Sequence, residues 1–420
     1  MSVAVAAAMC AVAATAGCGS KSESTPAVTM ARGVAVVEPA ADPKPFAAAD
    51  TAFGLDVLRA WCAEYPGQNL VFSPSTLASA LGMAYLGARG DTASAMAGAL
   101  HLPAGAGSAL MAGLRSRSDA LGKLDGPGVT VAASNQVWAD PTVTTLRGYL
   151  NSVATGYGAG VAQAPFTSDP AQAADEINGA ISTATRGHIT KLVSPEMLSQ
   201  VGWVLTSALY LDANWATAFD PAKTQPGLFT PAGGQPVTAS YLNGEGFSYS
   251  KADGWTAVAL PYQGGKLTMT ALLPPAGSGS CALPGQAQLA AVTSSLAGAA
   301  RNGPAAVSLP KVNLSVSGAQ GDMRQVLTKL GMGQAFTDAA DFTGLSPEAG
   351  KLAFVRQAAS LSVAEKGTVA AAAAGVGALQ FSEHVAATTI TFNRPYLMLV
   401  TAKATGEPLF LAEVANPTAD

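Results

Sequence analysis

Residues 364–395 read AEKGTVAAAAAGVGALQFSEHVAATTITFNRP, and this stretch decides how the rest of the chain is interpreted. Its first half is almost entirely Ala and Gly, its middle offers a single Phe, and its end alternates like a β-strand. A β run, FVRQAASLSV (354–363), leads straight into it. Because such small side chains bury little apolar surface, the segment needs a role other than building a core.

Length and composition limit the possible classes of protein. The chain has 420 residues, of which 49% are apolar and 12% charged, with a formal charge of −4 and no basic stripe. We therefore expect no nucleic-acid partner. After the N-terminus no run of 18 apolar residues occurs, so we expect no membrane-spanning segment and membrane contact only through a lipid anchor.

The N-terminus is typical of an exported protein. The apolar run at 3–14 reads as a secretory signal, and TAGC (15–18) resembles the bacterial lipobox. This resemblance implies that Cys18 is lipidated and that the protein is secreted or held on the outer face of a bacterial membrane. An ordinary cleaved signal or a misplaced start codon remains the alternative. No Lys or Arg precedes the run, and Thr15 stands where Leu is usual.

The chain divides into three predicted parts. Residues 1–18 form the signal peptide with its lipobox, and 19–45, which are polar and lack periodicity, form a flexible tether. Residues 46–420 form one domain, because no linker interrupts them. If Cys10 is removed with the signal, Cys62 and Cys281 remain in an oxidising compartment, where pairing is favoured. Their proximity does not follow from the sequence.

Hydrophobic periodicity predicts a large α+β domain. Helical patterns dominate the first half, and β patterns outnumber them in the second. Ser73 and Pro74 are typical of a helix start. The clearest segments are helices at 53–61 and 73–90, a strand at 203–211, and hairpins at 257–274 and 395–417.

No catalytic or metal-binding pattern is present in the sequence. The chain has neither a G-x-S-x-G elbow nor an H-E-x-x-H motif or C-x-x-C pair. Among the three histidines, we expect His101 and His188 on the surface, and His384 lies in the opening stretch. The sequence therefore predicts a protein that is not an enzyme and carries no cofactor and no metal.

At the opening stretch the chain resembles the serpins, the serine-protease-inhibitor family. The family's hinge reads Glu, a variable residue, Gly, Thr or Ser, a variable residue, and then four small residues. The matching residues here are Glu365, Lys366, Gly367, Thr368, Val369, Ala370, Ala371, Ala372 and Ala373.

Further blocks resemble the same family in the same order between residues 53 and 417. They are NLVFSPSTLASALGMAYLGARGDTASAM (69–96), LTSALYLDANWATAFDPAKTQPGLF (205–229), ALPYQGGKLTMTALLP (259–274), LPKVNLSVS (309–317), LGMGQAFTDAADFTGLS (330–346), and FNRPYLMLV with GEPLFLAEVANP (392–417).

The resemblance implies the serpin fold, with helices packed on large mixed and antiparallel sheets and an exposed reactive-centre loop. It implies a monomer that a serine protease cuts, with insertion of the loop into the main sheet while the protease remains acyl-linked. A non-inhibitory member acting as a carrier, chaperone or surface-anchored binding protein is the alternative. Such members usually carry bulky, charged or Pro residues in the hinge, and this hinge has none.

The family spacing also implies the bond that is cut. Counting forward from Glu365 places it at Phe381–Ser382, whereas counting backward from Phe392 places it near His384. We prefer the forward count because the length that inserts is set by the sheet. No Lys or Arg occurs from 367 to 393, so the resemblance implies chymotrypsin-like or subtilisin-like targets.

The family also has a polar cluster, the shutter, where its sheet opens. The matching residues are Ser73, Thr76, Ser207 and Gln357, with Ser207 in place of the usual Asn and Gln357 in place of the usual His. Because an unpaired buried polar group costs about 1–3 kcal/mol, we expect these substituted residues to bond to new partners.

Overall fold

The computed structural model describes residues 28–105, 107–199, 201–297, 304–316, 318–368 and 388–419. Within them the α+β prediction is confirmed, since helices lie mainly in the first half and strands mainly in the second. The α-helices are α1 (Lys44–Glu64), α2 (Pro74–Gly87), α3 (Gly90–Ala99), α4 (Ser108–Leu121), α5 (Arg147–Tyr157), α6 (Pro170–Ala184), α7 (Pro195–Leu198), α8 (Gln286–Ala297) and α9 (Arg324–Leu327).

The strands form two large sheets. They are β1 (Thr29–Ala31), β2 (Leu70–Phe72), β3 (Val129–Ala139), β4 (Val161–Gln163), β5 (Trp203–Asn214), β6 (Gln225–Phe229), β7 (Val237–Ala252), β8 (Trp255–Pro261), β9 (Leu267–Leu273), β10 (Ala305–Pro310), β11 (Val312–Val316), β12 (Val355–Val363), β13 (Gly367–Thr368), β14 (Thr388–Thr391), β15 (Tyr396–Ala402) and β16 (Pro408–Val414). The first sheet has the order β1-β4-β3-β5-β13-β12-β11. The second has the order β14-β10-β7-β8-β9-β15-β16-β2, with β6 paired to β7.

Helix α2 lies in the core between the two sheets. It contacts β3 and β5 of the first sheet and β16 of the second. It begins as predicted, since the Ser73 hydroxyl accepts a hydrogen bond from the Thr76 N–H at 3.2 Å and Pro74 occupies the first turn. Most of its residues are buried, and such burial all around a helix marks it as a core element.

Both predicted hairpins are present, as β8–β9 and β15–β16. In the first hairpin Gly264 and Gly265 have φ of 75° and 68°. Glycine adopts this left-handed conformation without steric cost, so the Gly-Gly pair allows the tight turn.

The tether prediction for residues 19–45 is wrong for its described part. β1 pairs antiparallel with β4 at the edge of the first sheet. Beyond it, Val34 N–H donates to Asn151 Oδ1 at 2.8 Å and Val36 N–H donates to Thr155 Oγ1 at 3.0 Å. A three-residue edge strand is held by its backbone, so its side chains need no periodic pattern that the sequence could reveal.

The signal peptide and Cys18 lie outside the described residues, so their assignment stays a prediction. Helix α1 begins at Lys44, two residues before the predicted domain boundary, and β1, further upstream, already belongs to the first sheet. None of the helices in the described ranges combines the length and the apolar character needed to cross a membrane.

The pairing of the two remaining cysteines is confirmed. Cys62, near the end of α1, and Cys281, between β9 and α8, form a disulfide with their Cα atoms 5.7 Å apart. A bridge between chain positions this distant stabilises a fold mainly by restricting the unfolded chain.

Candidate functional site

The first sheet contains a partly opened slot between β5 and β12. These strands pair directly and in parallel from Leu205↔Val355 to Leu209↔Ala359. At the other end β13 lies between them and pairs antiparallel with each. The start of the opening stretch therefore already occupies the sheet as a short strand.

Gly367 is required by the closeness of β5. A Cβ at this position would overlap the carbonyl oxygen of Ala213 and lie 2.7 Å from the Cα of Asn214. The obstacle is backbone, which cannot rotate away as a side chain can. The hinge glycine thus has a steric reason in this chain.

Thr368 is fully buried, and its hydroxyl lies 2.5 Å from the hydroxyl of Tyr262. Burial raises the pKa of Tyr262, so its phenol keeps its proton and can donate to Thr368. The Tyr262 ring stacks on Trp215 with centroids 4.5 Å apart. The side chain of Thr368 therefore points into the protein core.

The turn before β13 is held by backbone and indole hydrogen bonds. Trp215 Nε1 donates to the carbonyl of Ala364 at 2.9 Å, and Trp215 N–H donates to the carbonyl of Lys366 at 2.8 Å. Phe219 N–H donates to the carbonyl of Glu365 at 2.8 Å. These three bonds fix the direction in which the chain enters the slot.

The carboxylate of Glu365 closes the same turn from the other side. It accepts hydrogen bonds from Lys311 Nζ at 2.9 and 3.0 Å and from Thr224 Oγ1 at 3.0 Å. Burial by itself raises the pKa of Glu365, but hydrogen bonds from Lys311, the backbone and Thr224, together with the Lys311 charge, lower it overall. Glu365 is therefore ionised at neutral pH.

Replacing Lys311 with methionine is expected to raise the pKa of Glu365. Because the pKa of Glu365 is lowered in the folded protein, its contribution to stability is present above its ordinary pKa of 4.5 and is lost as pH falls through the lowered value. In Lys311→Met this loss should occur at higher pH. Titration of ¹³C-labelled glutamate by NMR, assigned with Glu365→Gln, measures the shift.

Lys329→Met is the matched control, since Lys329 pairs with Glu64 elsewhere. It should leave the titration of Glu365 unchanged. An unchanged Glu365 pKa in Lys311→Met would contradict the role given to this ion pair.

The four predicted shutter residues meet at the closed end of the slot. Ser207 and Gln357 are directly opposite each other across the β5–β12 pair. Ser207 Oγ donates to Thr76 Oγ1 at 3.0 Å, and Gln357 Nε2 donates to the carbonyl of Ser73 at 2.9 Å. All four are buried. Ser207 Oγ and Gln357 Nε2 have the expected partners, whereas Gln357 Oε1 accepts no hydrogen bond within the described residues. The role of these four residues as a shutter stays a prediction.

Asn135 is a fifth member that the sequence did not identify. It lies on β3 directly opposite Ser207. With its amide nitrogen turned towards β5, it donates to Ser207 Oγ at 3.2 Å and to the carbonyl of Thr76 at 3.3 Å. An amide within a strand was the available signal, but its partner depends on a register that the sequence does not show.

We expect Ser207→Ala and Asn135→Ala to be energetically coupled. Each should lower the free energy of unfolding by about 0.5–1.5 kcal/mol, because each removes a hydrogen bond of the buried cluster. The loss of unfolding free energy in the double variant should be smaller than the sum of the two single losses, by about 0.5 kcal/mol or more. Urea unfolding measures the three values. Ser207→Ala combined with Ser294→Ala is the additive control, because Ser294 is exposed on α8. Additivity in both pairs would contradict the Ser207–Asn135 bond.

The remainder of the predicted loop lies outside the described residues. This part includes Val369, Ala370 to Ala373, the bond Phe381–Ser382, and His384. The chain is described again from Thr388, where β14 pairs in parallel with β10 of the second sheet. His101 and His188 are exposed, as expected.

Comparisons with known proteins agree with this architecture. A family model described as Serpin (serine protease inhibitor) matches residues 48–417. An uncharacterized serpin-like protein of Thermococcus kodakarensis is 32% identical over 353 residues, which cover 83% of this chain and 81% of that protein. Leukocyte elastase inhibitor of Bos taurus is 28% identical over 382 residues, which cover 88% of this chain and 99% of that protein.

Among solved structures, human glycosylated kallistatin has a TM-score of 0.76 and 25% identity, covering 90% of this chain and all of that one. The family-model match begins within α1 and ends beyond β16, so it includes the hinge, the slot and the buried polar cluster. This chain belongs to the serpin family.

Proposed function

We propose that this serpin is a suicide inhibitor of serine proteases with chymotrypsin-like or subtilisin-like specificity. The observation that carries the proposal is β13, which lies between β5 and β12 and is antiparallel to both. Continued entry of the loop between these strands would replace the parallel β5–β12 pairing by two antiparallel pairings, one with each strand. Antiparallel pairing is slightly more stable per residue, and the new strand adds backbone hydrogen bonds on both sides.

The sequence after Thr368 fits this slot residue by residue. In the register of Thr368↔Ala213, residue 369 would lie opposite Asp212, and Ala378 would lie opposite Trp203, the first residue of β5. Side chains alternate along a strand, so 370, 372, 374, 376 and 378 would point into the core like Thr368. They are Ala, Ala, Ala, Val and Ala, which are small and uncharged.

The same register supports the choice of Phe381 as the residue before the cut. Full insertion along β5 ends at Ala378, so Phe381 would emerge at the far end of the sheet. The 15 residues from Gly367 to Phe381, at roughly 3.3 Å each, would place an attached protease about 50 Å from the entrance of the slot. The count that places the bond near His384 leaves three more residues beyond the sheet.

The covalent step is ordinary acyl transfer by the protease. Its serine hydroxyl attacks the carbonyl carbon of Phe381, the bond to Ser382 breaks, and the new amine of Ser382 takes the proton from the protease histidine. The acyl-enzyme is then trapped if insertion is faster than hydrolysis. An aromatic ring before the bond suits an apolar specificity pocket, and no cation is available for a trypsin-like one.

Incubation with chymotrypsin or subtilisin tests the proposal. We expect an SDS-resistant band near the sum of the two masses, and a released C-terminal peptide that begins at Ser382 by mass spectrometry. Trypsin should form no such band with the wild type and should form one with Phe381→Arg. Cleavage without an adduct at every ratio would favour the alternative, a non-inhibitory carrier, chaperone or surface-anchored binding protein.

We further propose that the protein acts at the cell surface or in secreted form, anchored through Cys18. The TAGC sequence supports this proposal. Cys18→Ala should move the protein from the membrane fraction into the medium, as measured by fractionation and immunoblotting. A soluble wild type whose N-terminus lies well past residue 18 would contradict the anchor.

A further inference from the structure

A buried carboxyl group faces the disulfide on the side of the domain formed by α1 and β16. Glu413, on β16, is 2% exposed. Its Oε1 accepts a hydrogen bond from the N–H of Cys281 at 2.6 Å, and its Oε2 lies 2.9 Å from Sγ of Cys62. One side chain thus contacts both halves of the bridge.

Any proton in this contact belongs to Glu413. Neither sulfur of a disulfide carries a proton, and Oε1 is already occupied by the N–H of Cys281. A close contact between Oε2 and Sγ is therefore favourable when Oε2 is protonated and donates to the sulfur. Burial raises the pKa of Glu413, and the N–H of Cys281 only partly offsets it.

The two cysteines differ in access and in backbone conformation. Cys62 is 1% exposed, whereas Cys281 is half-buried. Cys281 also has a φ of 63°, which lies in the left-handed region that residues other than glycine rarely adopt. An entering thiolate can therefore reach Cys281 more readily, and Cys62 becomes the leaving sulfur beside Glu413.

We propose that Cys62, Cys281 and Glu413 form a thiol–disulfide exchange site for a dithiol reductant, in which Glu413 is the proton donor. A reductant thiolate attacks Cys281 Sγ and forms a mixed disulfide, while the electron pair of the broken S–S bond goes to Cys62 Sγ. Glu413 Oε2 transfers its proton to that sulfur. The second reductant thiolate attacks the mixed disulfide, and the Cys281 thiolate leaves and takes a proton from water.

The products are two protein thiols and an oxidised, cyclic reductant, and Glu413 regains its proton from water. The two electrons that reduce the bridge come from the reductant. Opening it frees the connection between β9 and α8 from α1, because Cys281 lies in that connection. A bridge with a purely structural role needs no carboxyl group beside it, and burying one is costly.

The rate of reduction by dithiothreitol tests the proposal on the full-length protein at neutral pH. Glu413→Gln keeps an acceptor for the Cys281 N–H but supplies no acid, so its second-order rate constant should fall about tenfold or more. The control is Glu407→Gln, which replaces another buried glutamate, in the β15–β16 hairpin. Its rate constant should stay within about twofold of the wild-type value. Equal rates for wild type and Glu413→Gln would overturn the proposal.

Two further measurements on the wild type do not depend on the folding of a variant. The reduction rate should not change in low urea, whereas a rate that rises as steeply as global unfolding would show that the bridge opens only in the unfolded chain. Trapping with excess glutathione and peptide mapping should place the adduct on Cys281. An adduct on Cys62 would overturn the order of attack.

Discussion

Replacing Thr368 with arginine is expected to convert this inhibitor into a substrate. Thr368 is fully buried, and its hydroxyl bonds to Tyr262, so the guanidinium would have to enter the core without a partner. Such burial costs several kcal/mol, and each 1.36 kcal/mol on the insertion barrier slows insertion tenfold. Hydrolysis of the acyl-enzyme should then be faster than insertion of the loop. The yield of SDS-resistant complex, relative to cleaved protein, should fall at least about tenfold.

Val369→Arg is the matched control, one residue further along. In the same register its side chain would lie on the opposite face of the sheet, beside Asp212 and Ser362, which are both half-buried. A cation is compatible with this polar surrounding, so Val369→Arg should keep most of the inhibition. Thr368→Ser, which retains the hydroxyl, should also remain an inhibitor. Undiminished complex formation by Thr368→Arg would exclude passage of this side chain into the sheet.

Cleavage within the loop is expected to raise the melting temperature by more than about 10 °C. Up to ten residues, 369–378, can pair along β5 when the cut releases them. Even a few net hydrogen bonds at about 0.5–1.5 kcal/mol each add several kcal/mol, and each kcal/mol raises the melting temperature of a sizeable domain by about 2–4 °C. Calorimetry of intact and cleaved protein measures the difference.

The comparison requires a protease that cuts between 369 and 387 without being trapped. Thr368→Arg cleaved in the same way should show little of the increase, because its loop is stopped at the entrance of the slot. Equal melting temperatures for intact and cleaved wild type would rule out insertion and, with it, the proposed inhibitory mechanism.

The sequence by itself determined the family and the α+β class. Its local patterns were sufficient for Ser73 and Pro74 at the start of α2 and for the Gly-Gly turn of the β8–β9 hairpin, since each depends on residues close in the chain. If Cys10 is removed and Cys18 is lipidated, the count of cysteines leaves one possible pair, and Cys62 and Cys281 do form a disulfide. The four residues that match the family's shutter followed from the resemblance, and they do lie together.

Only the tertiary structure decided which groups from distant parts of the sequence contact each other. β13 has two residues, too few for any period, and it exists because β5 and β12 supply partners on both sides. β1 is likewise held by pairing with β4 rather than by its side chains. Asn135 meets Ser207 through sheet register, and Glu413 meets Cys62 across 351 residues of chain. Such contacts depend on the packing of distant elements, which no local sequence pattern records.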